Sequence, residues 1–580
     1  MTLKLAAPSV GRRLLVLGCS QTKRDTAGAI PAITRYDGPL FRVLRAFLRD
    51  YLWPTRLSVA VLSAEHGLIG ALSGIADYNH RLTPERAHKI RPEVTHGLCR
   101  LLPEHEAADL FMGRGYLEAI DFGSLGRRAR KITFIEGGIG YKLRQLREQL
   151  DTFGAPKGSP VPALPRKGRP LYFLPDWDDF LDLNYDFARD RPSTLRRQDR
   201  REAHSIELMR PHRLCDGVLV SLAQHSGTKG LLRRVTSATS DSLTPRPVRD
   251  HFGLAADQWA FGDCGAFSYS NEEEPSISVE QAVAVYDLYG FDLGASVDHI
   301  PLPEIRRNGK REQLSKKERR QRVELTRRNA EEFLQLVKRH RARFLPVGIL
   351  QGLDAEDYAS QVPDYIDMGY HYLALGGLVP RSDAEVLGIV KSVVAQFERK
   401  DARPWLHLMG IFRPKLHNQF RSLGINSFDS ATYFRKAWLR SDQNYLATDG
   451  GWYAAIRVPP SHDGAVRERL LQSGTSLRVI GSREKAALAA LRGYSEGRVD
   501  IEDCLRSVLE YDCLLERSDR EETRLLEAYR KTLEDRPWES CSCSMCQKLG
   551  IEVLMFRGLN RNKRRGAHNT LQLFRQLDNP

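Results

Sequence analysis

Short apolar runs alternate with longer stretches of helical period over most of this chain, and the alternation is interrupted at one place. Before the interruption, Arg13–Leu17, Ser58–Leu62, Asp109–Met112 and Lys131–Ile135 read as strands. Pro39–Tyr51 and Thr83–Leu102 read as helices between them. Strands separated by helices predict a mainly parallel sheet, because a parallel pair needs a long crossover. The interruption itself, GAPKGSPVPALPRKGRP over Gly154–Pro170, is rich in proline and glycine and has no apolar period. It reads as a linker. Residues 1–153 are thus expected to form a separate small α/β domain, and residues 154–170 to tether it.

After the linker the alternation resumes. Gly217–Ser221, Gln258–Asp263, Leu293–Asp298, Phe344–Gln351, Tyr370–Gly376, Trp405–Gly410 and Ile425–Asp429 read as strands, with a further one at Leu171–Leu174. Ser278–Tyr289, Ser315–Arg341, Ala355–Met368, Ser382–Glu398 and Lys415–Ser422 read as helices. Ser315 and Glu318 have the S-x-x-E spacing of a capping box. Eight such βα units predict a (β/α)8 TIM barrel, with a doubly wound open sheet as the competing architecture. The catalytic domain is placed at 171–480. A helical insertion is expected over 481–537, and a Cys-rich zinc-binding subdomain over 538–580. The expected fold class is therefore α/β: a TIM barrel with a C-terminal zinc-binding subdomain, preceded by a small α/β domain.

Composition narrows the function classes. Of 580 residues, 41% are hydrophobic and 28% charged, which excludes a disordered tail or a fibre. No apolar run reaches the roughly 18 residues that a membrane helix needs. The N-terminal MTLKLAAPSVGRRLLVLGCS reads as leading into a first strand rather than as a signal peptide. Nine cysteines are too few for a disulfide scaffold, and a cytoplasmic location is expected. Lys and Arg number 88 against 73 Asp and Glu, a formal charge of +15. Such a surplus suits a polyanionic partner.

Three constellations carry chemistry. Cys541, Cys543 and Cys546 form C-x-C-x2-C, and His568 follows. Three thiolates and an imidazole are the closed tetrahedral set of a structural zinc, with no position left for a catalytic water. Asp263, Asp298 and Asp429 each end a predicted strand. One aspartate there is a common helix N-cap. Three suggest the active-site face of a barrel, where strand C-termini meet, and they favour the barrel over the open sheet. Gln351-Gly352 and Gly376-Gly377 also stand at strand ends, where glycine admits a flat ligand and a glutamine amide can read a base edge. Basic segments lie at Arg196–Arg201, Arg306–Arg343 and Arg557–Arg565. The last is expected to hold phosphates on a metal-fixed loop.

Taken in order, GDCGAF (Asp263), SVDHIP (Asp298), LQG (Gln351), LGGLVP (Gly376 to Pro380), LMGIFRP (Met409), SFDSATY (Asp429) and the C-x-C-x2-C…H set resemble the tRNA-guanine transglycosylases. With YFLPDWDDFLDLNYDF (Tyr172 to Phe187), they look like the DNA-modifying branch, DpdA. There are departures. Cys264-Gly265-Ala266 stands where the family has S-G-G, and Ser430-Ala431-Thr432-Tyr433 stands where the bacterial pattern runs toward Pro-Thr-Arg. Residues 430–540 also make a longer spacer before the cysteines than in the tRNA enzymes. The N-terminal domain resembles, remotely, the YaaA proteins in Leu17-Gly18-Cys19-Ser20 with Lys23, Tyr36 to Phe41, Leu62 to Leu68 and Gly113 to Tyr116. That likeness names no ligand.

The resemblance implies a pentosyltransferase that exchanges guanine in DNA for the 7-deazaguanine base preQ0, alongside other proteins of a DNA-modification gene cluster. It implies Asp429 as nucleophile and Asp263 as general acid/base. Asp298 and Gln351 would bind the base edge, with the Gly376, Gly377 and Leu378 backbone beside them. Phe267 and Met409 would sandwich the ring. Structural Zn2+ is the one cofactor implied. The alternatives left open are exchange on tRNA, and a non-catalytic nucleic-acid-binding subunit of the same fold.

Overall fold

The computed structural model describes residues 12–25, 29–154, 161–166, 168–177, 180–193, 202–223, 243–307, 309–439, 442–472, 474–515 and 519–578. The Arg196–Arg201 segment and part of the 154–170 linker lie outside the described residues. Strands β1 (Arg13–Gly18), β2 (Leu57–Ser63), β3 (Gly67–Gly70), β4 (Ala107–Phe111) and β5 (Ile132–Phe134) form a sheet in the order β3-β2-β1-β4-β5. All its pairs are parallel except β2 with β3. Helices α1 (Pro39–Asp50), α2 (Pro84–Leu101) and α3 (Ile139–Asp151) follow β1, β3 and β5 in the chain. Thr83 caps α2, accepting from the Arg86 amide, with Pro84 in the first turn. Ile90, Val94 and Leu98 recur at the helical repeat and are buried with Leu14, Val16, Leu62 and Leu110 of the sheet. Each such side chain stabilises the fold by roughly 1.5–3 kcal/mol relative to exposure.

The eight barrel strands are β6 (Leu171–Pro175), β7 (Gly217–Ser221), β8 (Trp259–Asp263), β9 (Leu293–Ala295), β10 (Leu345–Leu350), β11 (Tyr372–Leu375), β12 (Trp405–Leu408) and β13 (Ser427–Asp429). They close in chain order, with β13 returning to β6. The strand β9 stops three residues before the predicted end. The Ser296 amide still donates to the Val347 carbonyl (2.9 Å), but its hydroxyl, not a backbone carbonyl, accepts from the Ile349 amide (3.0 Å), and the ladder ends there. The helices α4 (Val279–Leu288), α5 (Lys316–His340), α6 (Ala355–Met368), α7 (Asp383–Arg399) and α8 (His417–Ser422) alternate with the later strands. Capping boxes start α4 (Ser278 with Gln281), α5 (Ser315 with Glu318) and α7 (Ser382 with Glu385). Among the described residues, no helix is long and apolar enough to cross a membrane.

By compactness the chain divides into Met1–Pro165, Val220–Val248 and Ala260–Leu406, and a second unit of Arg166–Leu219, Arg249–Trp259 and His407–Pro580. The second unit contains the helices α9 (Leu477–Ser495), α10 (Ile501–Asp512), α11 (Asp519–Asp535), α12 (Ser544–Leu549) and α13 (Gly558–Asp578). The cluster of three cysteines and one histidine carried by α12, its approach and α13 fits a zinc subdomain.

The Arg557–Arg565 segment corrects one expectation. It is not a phosphate-gripping loop but the first turns of α13, and Arg557, Arg561, Arg564 and Arg565 are buried. Arg557 pairs with Asp190 and with Glu484 (2.7 Å), and Arg561 with Asp190 and Glu552 (2.6 Å). Arg565 donates to the carbonyls of Ala437, Val553 and Met555. These cations hold carboxylates and backbone carbonyls inside the protein, so their charge is not presented to a polyanion. The middle basic segment does expose cations, at Lys316, Lys317 and Arg320 of α5.

Candidate functional site

In the first unit, Asp263 is the last residue of β8. Its Oδ2 accepts from the Gly265 amide (3.1 Å) and lies 3.2 Å from the Ser221 hydroxyl at the end of β7. Gly265 has φ +86°, and a Cβ there would collide with the Ala223 carbonyl. The tight turn that aims an amide back at Asp263 therefore requires glycine.

Asp298 sits past β9 on a loop that α5 fixes. The buried positions Arg322, Thr326, Ala330, Phe333 and Val337 make the inner stripe of that helix. Arg322 donates to the carbonyls of Ser270 (2.7 Å), Ile300 (3.0 Å) and Glu272 (2.9 Å), and Asn329 to that of Val297 (3.0 Å). Thr326 Oγ1 accepts from the His299 amide (2.9 Å). One helix thus holds the loops after β8 and β9 together.

The Asp298 carboxyl is buried. Its Oδ1 accepts from the Cys264 thiol (3.0 Å) and its Oδ2 from Gln351 Nε2 (2.6 Å). Burial raises its pKa, and the hydrogen bonds from Cys264 and Gln351 oppose the shift. Burial, followed by the charges of Asp298 and Asp263, pushes the Cys264 thiol well above its usual range, so it stays a donor. Tyr269 donates to Cys264 Sγ (3.0 Å) and to the Asp298 carbonyl (2.9 Å). Gln351 directly follows β10 and is fully buried, yet its Oε1 has no hydrogen-bond partner among the described residues. A Cβ at Gly376 would strike Gln351 Nε2, and one at Gly377 would stand 2.6 Å from Oε1. The double glycine after β11 is thus what leaves room for this amide. Leu378 is buried behind it, while Phe267 is 64% exposed.

Asp298→Asn separates binding from stability here. Asparagine can keep Oδ1 as the acceptor for Cys264 only by turning its NH2 toward Gln351, whose amide must then flip. The flip gives Oε1 a donor and leaves Nε2 in the partnerless position instead. Because the folded-state pKa of Asp298 is raised, its charged form costs stability, and that cost is absent below the unfolded carboxylate range and grows as pH rises through the folded value. The variant is therefore expected to melt no lower than wild type at neutral pH, with the difference closing on acidification. The base-binding role expected of Asp298 predicts that base affinity falls roughly 100-fold, because the acceptor pattern has been inverted. Melting curves across pH, set beside base titrations, check both halves.

In the second unit, Asp429 is the last residue of β13 and is buried. Its Oδ1 accepts from the Gly410 amide (2.7 Å) and from His407 Nε2 (3.1 Å). His407 Nδ1 lies 2.8 Å from the Ser427 hydroxyl. The consistent assignment has Nε2–H donating to the carboxylate and Ser427 donating to Nδ1. Asp429 Oδ2 takes no hydrogen bond from the described residues, so one oxygen is oriented and the other is not engaged. Tyr172 donates to the Ser430 carbonyl (2.8 Å) and fixes the chain just beyond. Met409, half-buried, stands between His407 and Gly410. His407 and Ser427 were missed in the sequence. The one signal was a single polar residue in the apolar run WLHLMG.

Cys541, Cys543, Cys546 and His568 are all buried, and their ligand atoms lie within 4.8 Å of one another. The three thiol sulfurs are 3.6, 3.4 and 3.4 Å from His568 Nδ1. A tetrahedral zinc bound by sulfur and nitrogen sets that separation at about 3.5 Å. His568 Nε2 lies 2.8 Å from the Leu446 carbonyl, which places the proton on Nε2 and leaves Nδ1 as the ligand atom. Tyr445 stacks on the imidazole at 4.1 Å. The four residues can hold a metal ion.

The sequence pattern of the family described as queuine tRNA-ribosyltransferase matches residues 268–556. A protein of Salmonella montevideo described as a DNA-guanine transglycosylase is 34% identical over 411 residues, covering 70% of this chain and 96% of that protein. The chain belongs to the tRNA-guanine transglycosylase superfamily, in its DNA-modifying branch, and is a guanine-exchanging pentosyltransferase.

Proposed function

We propose that this protein replaces guanine in DNA with the 7-deazaguanine base preQ0 through a covalent bond between Asp429 and deoxyribose. The observation that carries the reading is the state of Asp429: Oδ1 is held by Gly410 and His407, while Oδ2 is left for attack. In the first step Oδ2 bonds to C1′ as the bond from C1′ to guanine breaks, and Asp263 in its acid form gives the departing base its proton. In the second, preQ0 loses a proton to Asp263, its ring nitrogen bonds to C1′, and the bond to Asp429 breaks. Asp263 is restored as the acid. Two inversions retain the sugar's configuration.

Guanine and preQ0 share an edge of N–H donors beside a carbonyl. The Asp298 carboxyl and Gln351 Oε1 offer acceptors to such an edge, and Gly376, Gly377 and Leu378 offer backbone. Phe267 and Met409 are the residues proposed to cover the ring. The target nucleotide must leave the stack to be reached, at a cost of roughly a few kcal/mol. The metal proposed for Cys541, Cys543, Cys546 and His568 is zinc; four protein ligands make it a structural brace that supplies no step.

The purified protein should be offered preQ0 with duplex DNA, single-stranded DNA and tRNA, and the digested nucleosides read by mass spectrometry. The expected product is the preQ0 deoxynucleoside. Incorporation confined to tRNA would overturn the assignment to DNA.

A further inference from the structure

The N-terminal sheet holds a cavity that base exchange does not use. In the order β3-β2-β1-β4-β5, the chain leaves β1 toward one side and later returns to the other side to form β4. The reversal point lies at the C-terminal ends of β1 and β4, and open α/β sheets bind ligands at that position. A cavity of about 360 Å3 sits there, lined by Cys19 and Ser20 after β1 and by Met112 and Gly113 after β4.

Two features of its wall point to an anion. The first turns of α1 and α3 both line it, through Phe41 and Ile139, and these helices run 12 and 13 residues. Neither has a side-chain cap; Pro39 brings no N–H, so the donors left to the cavity are the amides of Leu40 and Phe41 in α1 and of the first turn of α3, with both positive dipole ends.

The second feature is independent of the helix ends. Lys142 also lines the cavity and is 7% exposed. Its Nζ donates to the Met112 carbonyl and lies 4.8 Å from the Phe134 ring centroid. No carboxylate among the described residues pairs with it, and neighbouring Glu136 is engaged by Arg114 (3.5 Å). Burial, and then the charge of Arg114, lower its pKa, and Glu136 opposes them more weakly. A buried ammonium that makes one hydrogen bond, to a carbonyl, and feels a carboxylate only through the exposed Glu136 is a costly arrangement that an arriving anion relieves.

The rest of the lining is mainly apolar, with Leu40, Phe41 and Met112, and the volume exceeds what a lone phosphate fills. We infer that this cavity binds a nucleoside phosphate, with the phosphate at the α1 and α3 N-termini beside Lys142 and the nucleoside against the apolar wall. The site is separate from the base-exchange chemistry and does not rest on it.

Calorimetric titration of the full-length, metal-loaded protein with ADP, inorganic pyrophosphate and adenosine tests this. ADP is expected to bind once per chain, and adenosine and pyrophosphate each at least tenfold more weakly. Lys142→Met should weaken ADP at least tenfold. Ile139→Asp should do the same while leaving melting unchanged or raised, because a carboxylate in the first turn favours the helix but repels phosphate. That variant keeps the test decisive if Lys142→Met does not fold. Base exchange should be unchanged in Ile139→Asp. Absence of ADP binding at millimolar concentration, or ADP binding indifferent to Ile139→Asp, overturns the site. Adenosine or pyrophosphate binding as tightly as ADP overturns the assignment to a nucleoside phosphate.

Discussion

Asp429→Asn is expected to lower base exchange by at least about a thousandfold, roughly 4 kcal/mol of barrier, without unfolding the protein. The asparagine oxygen can still accept from the Gly410 amide and from His407 Nε2, so the cradle that holds Oδ1 survives. An amide nitrogen takes the place of the unengaged oxygen, and it is a poor nucleophile. Release of labelled guanine from DNA in a single turnover reads the rate, and a denaturing gel reads the sugar–protein adduct. The adduct should appear with wild type and be absent from Asp429→Asn and Asp429→Ala. Exchange within tenfold of wild type, or an adduct that forms in Asp429→Ala, would remove Asp429 from the nucleophile role. The paired measurement matters, because a variant that merely shifted the β13 end would bind substrate poorly as well as react slowly.

Cys543→Ser is expected to strip the metal and lower the melting temperature by more than about 10 °C. The substitution is chosen because Cys543 has two roles. Its side chain also caps α12, accepting from the Cys546 amide (3.4 Å), and serine is a good N-cap. Helix initiation is thereby retained while a thiolate ligand is removed. Elemental analysis should give one zinc per chain in wild type and none in the variant. Full zinc content, or an unchanged melt, would rule out these residues as a structural centre. Exchange should fall too, by way of packing. Asn569 of α13 donates to the Tyr433 carbonyl (3.2 Å), and Arg565 to that of Ala437 (3.1 Å), both on the segment that follows Asp429. A helix released from its metal no longer steadies that segment.

The barrel was legible because each of its strands is a short apolar run with a breaker or a polar residue at its end, and because S-x-x-E starts α5 in the chain as it does in the fold. Asp263, Gln351 and Asp429 were legible for the same reason, being residues at strand ends. The metal set was legible from spacing alone. Other features depend on partners remote in sequence, and periodicity does not carry them. Arg557 and Arg561 looked like solvated cations, and only the fold brings Asp190 to them from the other end of the second unit. The paired strands Glu304–Arg307 and Lys310–Gln313 are polar apart from Ile305, so they have no apolar alternation to betray them. The edge strand β3 is four residues, GLIG, too short for a period. His407 was hidden because a histidine that serves a neighbouring carboxylate leaves the same trace in a strand as one that merely packs.

The pairing of Asp190 with Arg561 also sets an order on the ribosome. The two residues are 371 positions apart. At a synthesis rate of about 5–20 residues per second, the loop that carries Asp190 waits roughly 20–70 seconds before its cation is made. The strand β6 waits too, though for a shorter time, since its neighbour β13 follows well after it. A nascent chain must therefore keep an unneutralised carboxylate in water for most of its own translation and an unpaired strand edge for a shorter part of it, and any message cut short before α13 leaves Asp190 without its cation.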